Sequence, residues 1–173
     1  METDFKTYLG WRPYIWTGDL LEWQSKTALG WLIRKFTGRE VNHTSLVLRF
    51  ASFDQERVYN LEALARGVYP NLLSRRLEHH RGKVYWLQLR PGYDSQRVDI
   101  AREAMKYVGL KYDYGSLLKQ VISRVSAQTD AFFCSELAYQ AGVEAGLPIK
   151  QEFAPKPGGF GEMGIYKERI RIF

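Results

Sequence analysis

Apolar and polar positions change their period halfway along the chain. The first half carries short runs of β-branched, aromatic and aliphatic residues. "GDLLEWQ" (18–24), "HTSLVLRF" (43–50), "RVYNLEA" (57–63) and "KVYWLQLR" (83–90) each have the length and composition of a strand. "ASFDQE" (51–56) reads as the turn between the second and third runs, and Pro91-Gly92 stops the fourth. Over residues 27–37, Leu29, Leu32, Ile33 and Phe36 recur at helical spacing, and Gly38 is placed to end that helix. The second half is helical in period. Ala101, Ala104, Met105 and Val108 form one stripe. Tyr114, Leu117, Leu118, Val121, Ile122 and Val125 form another. Cys134, Leu137, Ala138, Ala141 and Ala145 form a third, closed by Gly146 before Pro148. A glycine-rich stretch (155–164) leads to "IYKERIRIF", whose alternation predicts an edge strand. Strands first and helices later predict an α+β fold, an antiparallel sheet packed by helices. No repeat or linker divides the chain, so its 173 residues are expected to form a single domain, 1–173.

Composition narrows the class. Hydrophobic residues make up 45% and charged residues 25%, which suits a globular chain with a sizeable core. The net charge of +6 favours anionic neighbours such as nucleic acid, acidic lipid or cell-wall polymers. The clusters "RKFTGR" (34–39), "RRLEHHRGK" (75–83) and "KERIR" (167–171) read as solvated faces. No RNA-recognition, helix-turn-helix or zinc-finger pattern accompanies them, so no nucleic-acid partner is expected. No apolar run reaches the roughly 18 residues of a membrane helix. "METDFKTYLGW" lacks a basic segment followed by an apolar one, so a cytoplasmic location is expected, with at most peripheral membrane or cell-wall contact. The single Cys excludes an internal disulfide framework and fits a reducing compartment.

That residue, Cys134, has two readings. Its stripe position suits a small apolar side chain, because free Cys is among the most buried residue types. Its place near a helix start suits a thiolate. Thr129 and Asp130 are candidate caps upstream, and unpaired N–H groups there lower a thiol's pKa and can hold an oxyanion. A thiolate nucleophile also needs an imidazole. His79 and His80 lie between Arg75-Arg76 and Arg81 and read as an exposed pair. His43 opens an apolar strand; it reads equally as a ring half out of the core and as a base. If residues 43–50 and 57–63 pair about a turn near 53, the position opposite 43 falls near 63. Glu62 is then opposite or diagonal to His43, with Asn60 in reserve on the same face. No paired-Cys or His-Glu-x-x-His spacing occurs, so no metal site and no cofactor are expected.

"GDLL", "WLIRKFTG", "VNHTSLVL", "YNLEALARGVY", "GLKYDYG" and "FFCSEL" follow one another between Gly18 and Gly146. This ordered set resembles the circularly permuted NlpC-type papain-like cysteine hydrolases, the YiiX-like ones by pattern. The lecithin–retinol acyltransferase-like enzymes share the broader group. The resemblance implies an antiparallel sheet or partial barrel packed by helices, with the nucleophile Cys on a late helix. It gives Cys134 the nucleophile's role, His43 that of general base and acid, and Glu62 that of orienting the ring. Tyr112, Trp23 and Asp19 are the candidate substrate-binding residues. Trp16, Trp23 and Trp31 either line a groove there or pack in the core and at its rim. The implied activity is cleavage of an amide, a peptidoglycan peptide included, or an ester through an acyl-enzyme. The alternatives are a lipid-directed acyltransferase or thioesterase using the same site, and a non-catalytic binding module. A small peptide, an acylated amine or a lipid is the expected substrate.

Overall fold

The structure, a computed structural model, describes residues 2–52, 55–64, 67–110 and 129–173. Helix α1 (Glu2–Trp11) precedes β1 (Leu20–Ser25), α2 (Ala28–Thr37) and the long strands β2 (His43–Ser52) and β3 (Gln55–Leu64). β4 (Gly67–Leu72), α3 (Leu73–Glu78), β5 (Gly82–Leu87), α4 (Arg97–Met105), α5 (Thr129–Glu144) and β6 (Ile170–Arg171) follow. The strands form one six-stranded sheet in the order β4-β3-β2-β1-β5-β6. Every pairing in it is antiparallel.

Strand alternation sorts the apolar side chains to two faces. Leu20, Leu46 and Leu61 stand in cross-strand register. They join Leu87, Ile100, Leu137, Ala138 and Ala141 in a core on the α4–α5 side. Leu21, Trp23, Val47, Val58, Val84 and Trp86 have the opposite parity, and form a second core with Tyr8, Leu73, Leu77 and Phe173. The sheet is therefore buried on both sides by helices of different origin.

Most boundaries follow local chemistry. The Thr27 hydroxyl accepts the Gly30 N–H at 3.0 Å and caps α2, and Gly38, at φ 67°, ends it in the left-handed conformation. The β2–β3 pairing runs to Ser52 and Gln55, so the expected six-residue turn is shorter than "ASFDQE" suggested. The tail strand lies at a sheet edge beside β5. Of the stripe expected around residue 101, Ala104 is buried and Ala101 and Val108 pack against the same core, but Met105 is exposed, Ile100 is buried instead, and the helix stops at Met105. The stripe from Tyr114 to Val125 lies outside the described residues.

Candidate active site

The pairing of β2 with β3 ends at Leu46–Leu61, whereas β3 stays paired with β4 as far as Leu64–Gly67. The two strands therefore part before β2 reaches its first residue, His43. Along β2, Val47 donates its N–H to Asp19 of the β1 side, and alternation turns the Thr44 N–H the other way. With no β3 carbonyl in the ladder there, that N–H donates to Cys134 Sγ at 3.4 Å. Helix α5 packs on β2 and β3 from the first-core side and delivers the sulfur to this gap.

His43 and Glu62 share the parity of the second core. Continued, the register would place residue 64 opposite His43, so Glu62 is its diagonal neighbour. The His43 Nε2 and Glu62 Oε1 are 2.9 Å apart. That leaves Nδ1 of the ring for the Cys134 thiol, with which the imidazole also hydrogen-bonds. Glu62 is wholly buried and held on its far side. Asn71 Nδ2 donates to its Oε2 at 2.9 Å, and Arg76 Nε donates to Oε2 at 3.0 Å and Oε1 at 3.3 Å. The Arg76 guanidinium stacks 4.8 Å from the centre of the Trp23 ring, whose Nε1 donates to Ser45 Oγ at 2.8 Å.

Electrostatics follow from this arrangement. Burial opposes charge on the imidazole, but the Cys134 sulfur and then Glu62 outweigh it and raise the His43 pKa. Burial likewise opposes the thiolate. The His43 charge and hydrogen bond and the Thr44 N–H outweigh it and lower the Cys134 pKa. Burial opposes the carboxylate of Glu62 too, yet His43 and Arg76 bring its pKa down to about 2. The site thus favours a thiolate–imidazolium pair backed by an ionised carboxylate.

The other expected residues are mostly buried or lie apart from the site. Asp19 is fully buried, and its carboxylate accepts from Trp16 N–H, Trp86 Nε1, Leu89 N–H and Arg97 at 2.8–3.0 Å. It ties β1 to the segments around it and has no exposed surface to offer a substrate. Trp23 stands directly opposite His43 in the β1–β2 ladder and under the Arg76 guanidinium, but it is 1% exposed in the second core. Trp16 and Trp31 are half exposed, under Arg49 and Lys35 respectively. Tyr112 lies outside the described residues. Asn60 is buried two residues from Glu62, and its amide atoms have no hydrogen-bond partner among the described residues.

Three expectations change. Cys134 is the sixth residue of α5, past the four N–H groups that a helix start leaves unpaired, so its lowered pKa comes from His43 and Thr44 instead of the helix end. His80 is not exposed: it is 5% accessible, packed edge-on against Trp23 at 5.1 Å between ring centres. The basic cluster around it is a solvated face at Arg75, Glu78, His79 and Arg81, as expected, but Arg76 departs from it and turns inward to Glu62. A cation in a charge-rich segment gave no sequence signal of that role.

No protein-family model and no curated protein matches this chain. A solved structure does. The metalloprotein yiiX of Escherichia coli O157:H7 superposes with a TM-score of 0.57 at 20% identity, over 90% of this chain and 87% of that one. The fold is YiiX-like. A YiiX-like fold carries no metal site by itself here: among the described residues no group of three or more His, Cys, Asp or Glu side chains is gathered as a metal ion requires.

Proposed function

We propose that the protein is a cysteine hydrolase of the permuted papain-like kind, acting on an amide or ester. The observation that carries this reading is the His43 ring, hydrogen-bonded to Cys134 on one side and 2.9 Å from Glu62 on the other. In chain order the set runs base, orienting acid, nucleophile, with the nucleophile on the late helix α5.

The Cys134 thiolate adds to the substrate carbonyl carbon, and the carbonyl π electrons move to oxygen. Collapse of the tetrahedral intermediate breaks the bond to the amine or alcohol, which leaves with the proton from His43. Water then adds to the thioester while His43 takes its proton, and release of the acid breaks the carbon–sulfur bond and restores the thiolate. Glu62 stays ionised throughout, holding the ring and offsetting its charge. A metal-dependent reading, which the YiiX comparison raises, finds no donor set among the described residues.

The test is acylation of the thiol by an activated ester at neutral pH. Cys134→Ala is expected to abolish labelling, and His43→Ala to slow it by roughly 100-fold or more. Labelling of His43→Ala at the wild-type rate overturns the pairing. Turnover of the acyl-enzyme by water, against transfer to an added lipid acceptor, separates hydrolysis from acyl transfer. An intact thiolate that no acyl donor modifies points to a binding module.

A further inference from the structure

Glu22 lies directly across from Thr44 in the β1–β2 ladder, so both project to the α5 side of the sheet. Thr44 is the residue whose N–H meets Cys134 Sγ. One strand from the sulfur, then, a carboxylate lies 1% exposed in the wall of a cavity of about 550 Å³. That volume is in the range of small-ligand sites. The Gly158 N–H and, at 3.8 Å, the Arg169 guanidinium reach the carboxylate, but Oε1 has no hydrogen-bond partner among the described residues. A buried carboxylate oxygen left unpaired is costly, and a bound donor removes that cost.

The rest of the lining decides which donor. Four glutamates, Glu22, Glu40, Glu162 and Glu168, face two arginines, Arg39 and Arg169. Both arginines are already engaged. Arg39 forms a two-point ion pair with Glu162. Arg169 donates to Glu40 at 2.8 Å and lies over the Tyr85 ring. Lys83 also pairs with Glu40, at 3.1 Å, so four carboxylates meet three cations and the excess charge is still negative, in a protein whose overall charge is positive. Leu87, Gly158 and Gly161 complete the wall with apolar and backbone surface that suits a short methylene chain.

We propose that this cavity is a binding site for a primary alkylammonium group, with Glu22 as its anionic partner. Glu22 stands across the ladder from Thr44, whose N–H meets the sulfur, so on the hydrolase reading the cavity would take an amine-bearing part of the substrate; amine binding itself does not rest on that reading. Burial pushes the Glu22 carboxyl up to about 7, with Arg169 and the Gly158 N–H opposing it. An ammonium group is the species that would return it to the ionised form. The charged and titratable groups facing Glu22 are Arg39, Glu40, Tyr85, Glu162, Glu168 and Arg169, with Lys83 behind Glu40.

Calorimetric titration of cadaverine and of pentanediol into the Cys134→Ala protein tests the site without any need for turnover. Cadaverine is expected to bind and pentanediol not. Adding Glu22→Gln is expected to weaken cadaverine binding by about 30-fold. In the protein that keeps Glu22, affinity falls as pH drops below about 7, and the Gln variant loses that dependence. Equal binding of the diol, binding indifferent to Glu22→Gln and to pH, or no cadaverine binding overturns the inference. If cadaverine fails to bind while wild-type Cys134 is still acylated, this inference alone falls. The converse result removes the hydrolase reading alone.

Discussion

His43 is held by two anionic groups, and a third charge regulates one of them. Arg76 shares Glu62 with the imidazole, so it limits how strongly that carboxylate supports the charged ring. Glu62→Gln is expected to lower the His43 pKa, and Arg76→Gln to raise it, each by about one unit. An NMR titration of the ring checks both; shifts of the same sign would contradict the arrangement. Two further buried groups act on stability with opposite signs. Glu22 has its pKa raised from 4.5 to about 7, so its contribution is present at low pH and lost as pH rises across that window. His80, lowered from 6.5 to about 4 by burial and then by the Arg76 charge, costs stability as pH falls across its own window. Each effect is on the order of 3 kcal/mol at its limit. Between about pH 4.5 and 6.5 they oppose each other. Denaturant titrations should show Glu22→Gln gaining stability with pH across this range more steeply than wild type, and His80→Gln losing it.

The elements themselves were largely legible. β1, β2, β3 and β5 stood out because their apolar runs are uninterrupted, and the hairpin arithmetic placed Glu62 within one step of its observed relation to His43. α1, β4 and α3 did not stand out, for physical reasons. α1 mixes charges with Gly10, β4 contains Pro70 and lies at a sheet edge, and α3 is only six residues long in a basic segment. α3 nonetheless supplies Arg76, so the missed element is the one that steadies the carboxylate. Where α3 returns to β5, Gly82 has φ 145°, and a Cβ there would lie 1.7 Å from the Gln24 carbonyl oxygen. Gly82→Ala is therefore expected to cost roughly 3 kcal/mol or more, read from the urea midpoint, by separating the β1–β5 end. The His80 ring beside it should become more accessible, raising its pKa toward the ordinary value.

At the scale of the whole molecule, residue pattern foretold an antiparallel sheet with helices against it, and the YiiX-like fold agrees with that. It did not foretell which side each helix would cover, because parity along a strand names two faces without saying what lies on either. Nor did it reveal the cavity over Glu22, which is assembled from residues 22 to 169. Among the described residues no helix is long and apolar enough to cross a membrane. The basic surface is also less available than the net charge suggests, with Arg39, Arg49, Arg97 and Arg169 each engaged with a carboxylate.

The early parting of β2 and β3 lets a sulfur carried by one core meet a ring and carboxylate carried by the other. Such a centre works as an alignment gauge between two halves of a molecule: a slip of about an ångström between them would disable it while each half kept its own shape. On gradual heating, thiol acylation should thus fail several degrees before the far-ultraviolet circular dichroism changes. Coincident loss of both signals would mean that the two layers move as one body.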